Sequence, residues 1–279
     1  MTRSKHKYRL TPSAALGFGI IAIYLLVALF APWLTPHDPL ASLGGAWQAP
    51  SRAFPMGTDS VGRDMLSRII FGARLTLGLS LASTVLSFVT GISTGFLAAV
   101  SNRWVDGALS RWVDIMLSIP QLIFALIIIS VFGSSTAVLI TTVGLLDSTK
   151  VFRLARSLAK DIAAMEFVEV ARLRGEGLWW IMRREILPIA SPPLISEFGL
   201  RYCFNFLFIA GLSFLGLGVQ PPLADWGGMV RSNAGAISFG LAAPFFPALA
   251  LALMTIAVNL VVDWFLAIHA RPSGASAEM

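Results

Sequence analysis

Charge is what this 279-residue chain has least of. Asp, Glu, Lys and Arg make up 13% of it, about half the roughly 25% of a soluble globular domain. Hydrophobic residues fill 56%. A chain of this length cannot fold so much apolar surface inward, and the excess must face lipid. Cysteine occurs once, as Cys203 inside an apolar stretch, which excludes an intrachain disulfide. The histidines His6, His37 and His269 are scattered and offer no ligand spacing for a metal. There is no Gly-x4-Gly-Lys-Ser/Thr loop to cradle ATP phosphates, so any work done with ATP needs another chain. Two enzyme-like patterns fail on context. Ser157 and Lys160 have Ser-x-x-Lys spacing but sit in a basic segment without companion motifs. Gly17 and Gly19 lie within an apolar run, not at a strand-to-helix turn. A membrane-embedded enzyme would also need clustered His, Asp or Ser on facing spans, and no catalytic site is visible.

What is present is a series of long apolar runs. A helix crossing the hydrocarbon core, about 30 Å thick, needs about 20 mostly apolar residues. Residues 14–34, 75–100, 112–132 and 241–268 meet that need, and residues 186–219 do so despite Pro192, Pro193, Glu197 and Arg201. Residues 136–146 are too short alone and end at Asp147. Charge decides the count, because Lys and Arg in short loops stay on the cytoplasmic side. Eight of them lie between Lys150 and Arg184, and only a crossing at 136–146, continuing as helix through Arg156, keeps that block on the same side as Arg3, Lys5, Lys7 and Arg9. Six spans then place both termini inside. The basic tail before residue 14 has the charge layout of a signal peptide, but the apolar run is longer than the roughly 7 to 15 residues of a cleaved one and is expected to remain as the first span. The net charge of +6 fits basic inner loops and does not call for nucleic acid.

The expected organisation is an all-helical membrane protein of one domain: an inner tail 1–13, a transmembrane domain 14–268 and an inner tail 269–279. Its outer loop, 35–74, is rich in Pro, Gly and Asp. There Thr58 or Asp59 could cap a short interfacial helix through about Gly72, braced by Asp59 with Arg63 and Asp64 with Arg68 at i,i+4 spacing. On the inner side, 160–184 is too polar to cross lipid. It reads as a helix, a break at Gly175 and Gly177, and a second helix with Trp179 and Trp180 at the interface. Gly91 and Gly95, four apart in the second span, allow another helix close approach.

Glu169, Ala171, Gly175, Leu187 and Pro188 keep the spacing of the EAA signature of ABC importer permeases, which the segment resembles. Val170 and Glu185 depart from it. MGTDSVGRDMLSRIIFGAR at 56–74, TPHDP at 35–39, LSFLGLGVQPP at 212–222 and DWGGMV at 225–230 are similar to the dipeptide, oligopeptide and nickel permease family, in the subunit type with a long first outer loop. The resemblance covers about residues 12 to 268. It implies the type I importer permease fold with a coupling-helix hairpin, a bacterial inner-membrane location, a homologous second permease and two ATPase subunits holding ATP and magnesium. It also implies a binding protein outside and small peptides as cargo, with nickel or metallophore complexes, opines or other polar solutes as the alternative. Glu169, Ala171, Arg172, Gly175, Leu187 and Pro188 would then couple the permease to its ATPase. Asp59, Gly62, Arg63 and Asp64 would face the binding protein or outer gate. Glu197 and Arg201, four apart in the fifth span, share a helix face. Charges at that depth cost at least about 2.5–3.5 kcal/mol and usually face the bundle interior or water, so they either line the pathway or pair in packing. An ATP-independent channel or carrier is the rival class, with no need of the charged inner hairpin.

Overall fold

Thr11 opens the first helix. Its hydroxyl accepts the Ala14 N–H at 3.3 Å, and Pro12 takes the first helical position, where a missing N–H costs nothing. The computed structural model describes residues 10–269; the tails with Arg3, Lys5, Lys7, Arg9, His6 and Arg271 lie outside them. Among the described residues there are helices, turns and two isolated bridges, with no strand. Helix α1 spans Pro12–Leu34. Helix α2, Met65–Val100, has 36 residues, about 54 Å at 1.5 Å per residue, so it outruns the hydrocarbon core. Its cap is Asp64, whose carboxylate accepts the Ser67 N–H at 3.2 Å and the Ser67 hydroxyl at 2.5 Å.

That cap corrects two expectations. No separate interfacial helix lies between residues 59 and 72; residues 65–72 are the first turns of α2. The i,i+4 pairs are also rearranged, because Asp64 is spent on the cap while Arg68 reaches back to Asp59 at 3.2 Å.

The third span is not one rod either. Helix α3, Arg103–Ser118, and α4, Gln121–Phe132, meet at 88°. Pro120 supplies no N–H and forces the preceding Ile119 into an extended conformation. Ser135 caps α5, Thr136–Ala163, which continues well past residue 146 as the charge argument required. The chain then makes α6, Glu166–Leu173, turns, and passes through α7, Leu178–Trp180, and a π-helical turn, Ile181–Ile186, into α8, Leu187–Phe214. After α9, Trp226–Asn233, and a 3-10 turn, Ala234–Phe239, α10 spans Phe245–His269.

Length and apolarity alone qualify α1, α2 and α10 as spans, and the bent α3–α4 pair as a fourth. Helices α5 and α8 have 28 residues each, long enough to cross, but carry charges along their length, among them Asp147, Lys150, Glu197 and Arg201. Those charges are matched inside the bundle, as described below, and the two helices complete six crossings. One end carries residues 35–64 and 215–244 and is called here the loop end; the opposite end carries α6 and α7, the hairpin end.

Helices α2 and α5 form the centre. A Cβ on Gly91 would stand 2.7 Å from Val151 Cβ, one on Gly95 2.8 Å from the Phe152 carbonyl, and one on Gly144 2.9 Å from the Ser83 carbonyl. Small residues therefore set the helix separation, as lipid-embedded packing demands. Buried Ser80 and Thr84 return their hydroxyls to carbonyls one turn back at 2.8 Å, which satisfies them without lipid exposure.

Candidate functional site

Three sets of polar residues stand out. At the hairpin end, α6 buries Val168 and Ala171 against the bundle and leaves Glu169 and Arg172 exposed. The turn after α6 is closed by two backbone bonds, Gly175 N–H to the Arg172 carbonyl at 2.9 Å and Glu176 N–H to the Ala171 carbonyl at 3.2 Å. This Schellman geometry needs a left-handed residue, and Gly175 has φ +83°. Ala171 thus seats α6 on its own chain. The outward face is apolar instead: Phe167, Val170 and Leu173 are exposed, Leu173 to 82%, with Leu178 and Trp179 beside them across the turn. Leu187 and Pro188 open α8 just past the π-helical turn, both exposed.

Behind this hairpin a charge ladder binds α3 to α5. Asp106, in the polar first turns of α3 ahead of the apolar stretch, takes short ion pairs from Arg156 and from Lys160, the latter at 2.7 Å, and Arg153 meets Asp114 at 2.7 Å. Hydrogen bonding from Arg156, opposed by burial and reinforced by Lys160, holds the Asp106 carboxyl down to about 2. It stays ionised at any physiological pH.

At mid-bundle, Glu197 and Arg201 do pair, with Arg201 Nε donating to Glu197 at 2.5 Å. They are not alone. Fully buried Asp147 of α5 lies 3.5 Å from Arg201 and 3.6 Å from Lys150, and accepts from Asn205 at 3.2 Å. Asn205 also reaches the Thr84 hydroxyl at 3.1 Å, and Lys150 donates to Gln121 at 2.6 Å. Two carboxylates and two cations therefore neutralise each other while joining α2, α4, α5 and α8. Sequence reasoning found Glu197 and Arg201 but not Asp147, whose i,i+3 spacing to Lys150 was the available signal.

At the loop end the family motifs converge. His37 of TPHDP places Nδ1 3.3 Å from Asp64 and its N–H 3.1 Å from the Ser67 hydroxyl, and Arg68 donates to the Pro39 carbonyl at 3.0 Å. From DWGGMV, Asp225 caps α9, while buried Trp226 donates Nε1 to the Ile69 carbonyl at 2.9 Å and its N–H to Thr76 at 3.1 Å. Burial lifts the Asp225 carboxyl above its ordinary range, opposed by donors including the Gly228 N–H. Gly62, at φ +83°, presses against the Gly44 carbonyl, a position closed to any side chain. Asp59 and Asp64 are 3% and 0% exposed, so they brace this knot from within. Arg63 lines a cavity between the knot and α9.

Six crossings, glycine-spaced packing, internally neutralised charge and a projecting hairpin define a helical membrane permease. Solved structures agree on the fold. A chain of the MetNI methionine ABC transporter, in inward-facing conformations, superposes with TM-score 0.59 at 18% identity over 74% of this chain and 98% of its own. A chain of an amino acid ABC transporter with histidines gives 0.53 at 18% identity, over 72% and 93%. The chain belongs to the family described as binding-protein-dependent transport system inner membrane component, which matches residues 91–272. The N-terminal transmembrane domain of oligopeptide transport permease C matches residues 6–50. Similar curated proteins include the di/tripeptide transport system permease DppC of Pseudomonas aeruginosa, 36% identical over 89% of this chain and 85% of its own. The glutathione transport permease GsiD of Pectobacterium atrosepticum is 30% identical over 89% and 84%. A probable D,D-dipeptide permease, DdpC of Escherichia coli, is 33% identical over 88% and 82%. The chain is a permease subunit of an ABC importer, a transport role and not an enzymatic one.

Proposed function

We propose that this permease pairs with a second, homologous permease around a central pathway and imports short peptides delivered by a binding protein on the loop side. Di/tripeptide, glutathione and D,D-dipeptide systems among its relatives support that cargo class. Two ATPase subunits hold ATP and magnesium and dock on the hairpin. Both termini and the hairpin then lie in the cytosol, consistent with the basic residues gathered at that end.

The observation that carries the coupling role is the exposed face of Phe167, Val170 and Leu173, rimmed by Glu166, Glu169, Arg172 and Arg174. An apolar patch rimmed by charge, on a polar hairpin that cannot enter lipid, is the signature of a protein-docking site. Gly175 fixes its angle, and Glu169 and Arg172 frame the contact. Leu187 and Pro188 open α8, which transmits hairpin movement to the pathway face. Glu197 and Arg201 reach that pathway through the Asp147 network, which keeps α8 and α5 moving as one body. At the loop end, exposed Val61 meets the binding protein, with Asp59, Gly62 and Asp64 holding the turn in place and Arg63 facing the cavity behind it.

Leu173→Asp tests the coupling. Leu173 touches little of its own chain, so the variant should unfold at the wild-type temperature within about 0.5 kcal/mol. It should nevertheless lose most co-purifying ATPase and most di/tripeptide uptake. Undiminished ATPase recovery would refute the docking face.

A further inference from the structure

Between the turn 59–63, the first turn of α2, the segment after α8 and α9 lies a cavity of about 310 Å³. Its charges are unevenly matched. Both carboxylates are committed internally: Asp59 to Arg68 and to the N–H groups of Val61 and Arg63 at 2.8 and 2.9 Å, Asp225 to the cap of α9. Of the three guanidiniums, Arg68 alone is answered. Arg63 and Arg231 have no carboxylate within ion-pair distance among the described residues, and Arg63 Nε is buried without a hydrogen-bond partner.

Arg231 is also positioned. Its guanidinium lies on Gly216, which has φ +89° and where a Cβ would collide with it. Arg231 is exposed at the cavity mouth, whereas Arg63 Nε is a buried donor without an acceptor, which is costly; the planar guanidinium fork of each matches a carboxylate. The volume is at the small end of ligand pockets, which run from about 300 to 1,000 Å³, enough for a terminal residue rather than a long chain.

We propose that this cavity is a cargo subsite in which Arg63 and Arg231 bind the C-terminal carboxylate of a short peptide released by the binding protein. The inference rests on the peptide-import reading and narrows it to a free carboxylate, held by the permease itself before the peptide enters the pathway.

The test uses the complete transporter in nanodiscs without its binding protein, titrated with alanyl-alanine and with alanyl-alanine amide by saturation-transfer NMR. The acid should bind and the amide should bind about tenfold more weakly, as expected for a lost charge-assisted pair. Arg231→Gln should abolish that difference, and Arg63→Gln should do the same. Arg52→Gln, an exposed loop-end arginine outside the cavity, should leave it intact and so control for net charge. Unchanged thermal midpoints and ATPase content show that the variants are folded and assembled. No binding of the acid to wild type, equal binding of acid and amide, or equal effects of the 52 and 231 substitutions would each overturn the proposal. So would weakened docking of the binding protein by Arg231→Gln with peptide binding unaltered, which would make the occupant an acidic side chain of that protein. Failure of the underlying reading would show separately, as wild-type complexes that carry no ATPase or transport no peptide.

Discussion

The two ends of the bundle are finished to different degrees. At the loop end, Asp64 is fully buried, Trp226 is 1% exposed, and Gly62 presses on a carbonyl that leaves no room for a side chain. Every carboxylate in the knot has a donor. The loop end has exposed apolar residues as well, Phe239 to 70%, but outside the knot; at the hairpin end they form the outer face of α6 and its turn, Leu173 to 82% and Trp179 to 67%, and α6 is held by little more than Val168, Ala171 and one glycine turn. An end whose framework is closed, and whose unmatched groups such as Arg63 Nε lie inside it, gains little from a permanent partner and can release what visits it. An end that leaves apolar residues in water is complete only when another protein covers it.

That contrast can be broken most forcefully at Arg68. Arg68→Ala leaves buried Asp59 without its cation, and losing one partner of such a pair costs about 3–5 kcal/mol. The detergent-solubilised variant should therefore melt far below wild type, whereas a drop of only a degree or two would show the loop end to be loosely built. The mid-bundle comes next. Asp147→Asn keeps the shape but removes the charge that faces Lys150 and Arg201, for an expected loss of about 2 kcal/mol, with uptake falling as α5 and α8 uncouple. Equal stability and uptake would reduce the network to incidental packing. The smallest effect belongs to the hairpin turn. No atom obstructs a Cβ at Gly175, so Gly175→Ala meets only the left-handed backbone penalty of about 1–2 kcal/mol. Stability should fall by no more than that, while ATPase stimulation by the loaded binding protein should fall markedly.

Much of this was legible in the sequence because its signals are local. Apolar run length, the basic block from Lys150 to Arg184 and the glycines at 91, 95 and 175 pointed to six crossings, the continuation of α5, a close helix contact on α2 and the turn after α6, though not to the 88° bend in the third or to α5 as the partner of α2. The rest depended on partners distant in the chain. Asp147 and Arg201 are 54 residues apart, and no spacing rule links them. The start of α2 was misplaced because Thr58, Asp59 and Asp64 are all competent caps; the choice is made by Gly57 and Gly62, whose positive φ values fold 57–63 into a turn. The face on which Ala171 lies was not legible, since α6 is apolar on both sides: Val168 with Ala171, and Val170 with Leu173. Only the contact with α5 and the π-helical turn decides between them. At the candidate sites the motif residues were found, but the roles of Asp59 and Asp64 as internal braces, and the match of Arg63 with Arg231, follow from tertiary folding alone.

The account stands or falls on the side of the membrane that the hairpin occupies. A Glu176→Cys variant on a Cys203→Ala background should react with a membrane-impermeant maleimide only after cells are permeabilised, and should be protected when the ATPase subunits are co-expressed. Labelling of intact cells would place the hairpin outside and contradict both the topology and the coupling role.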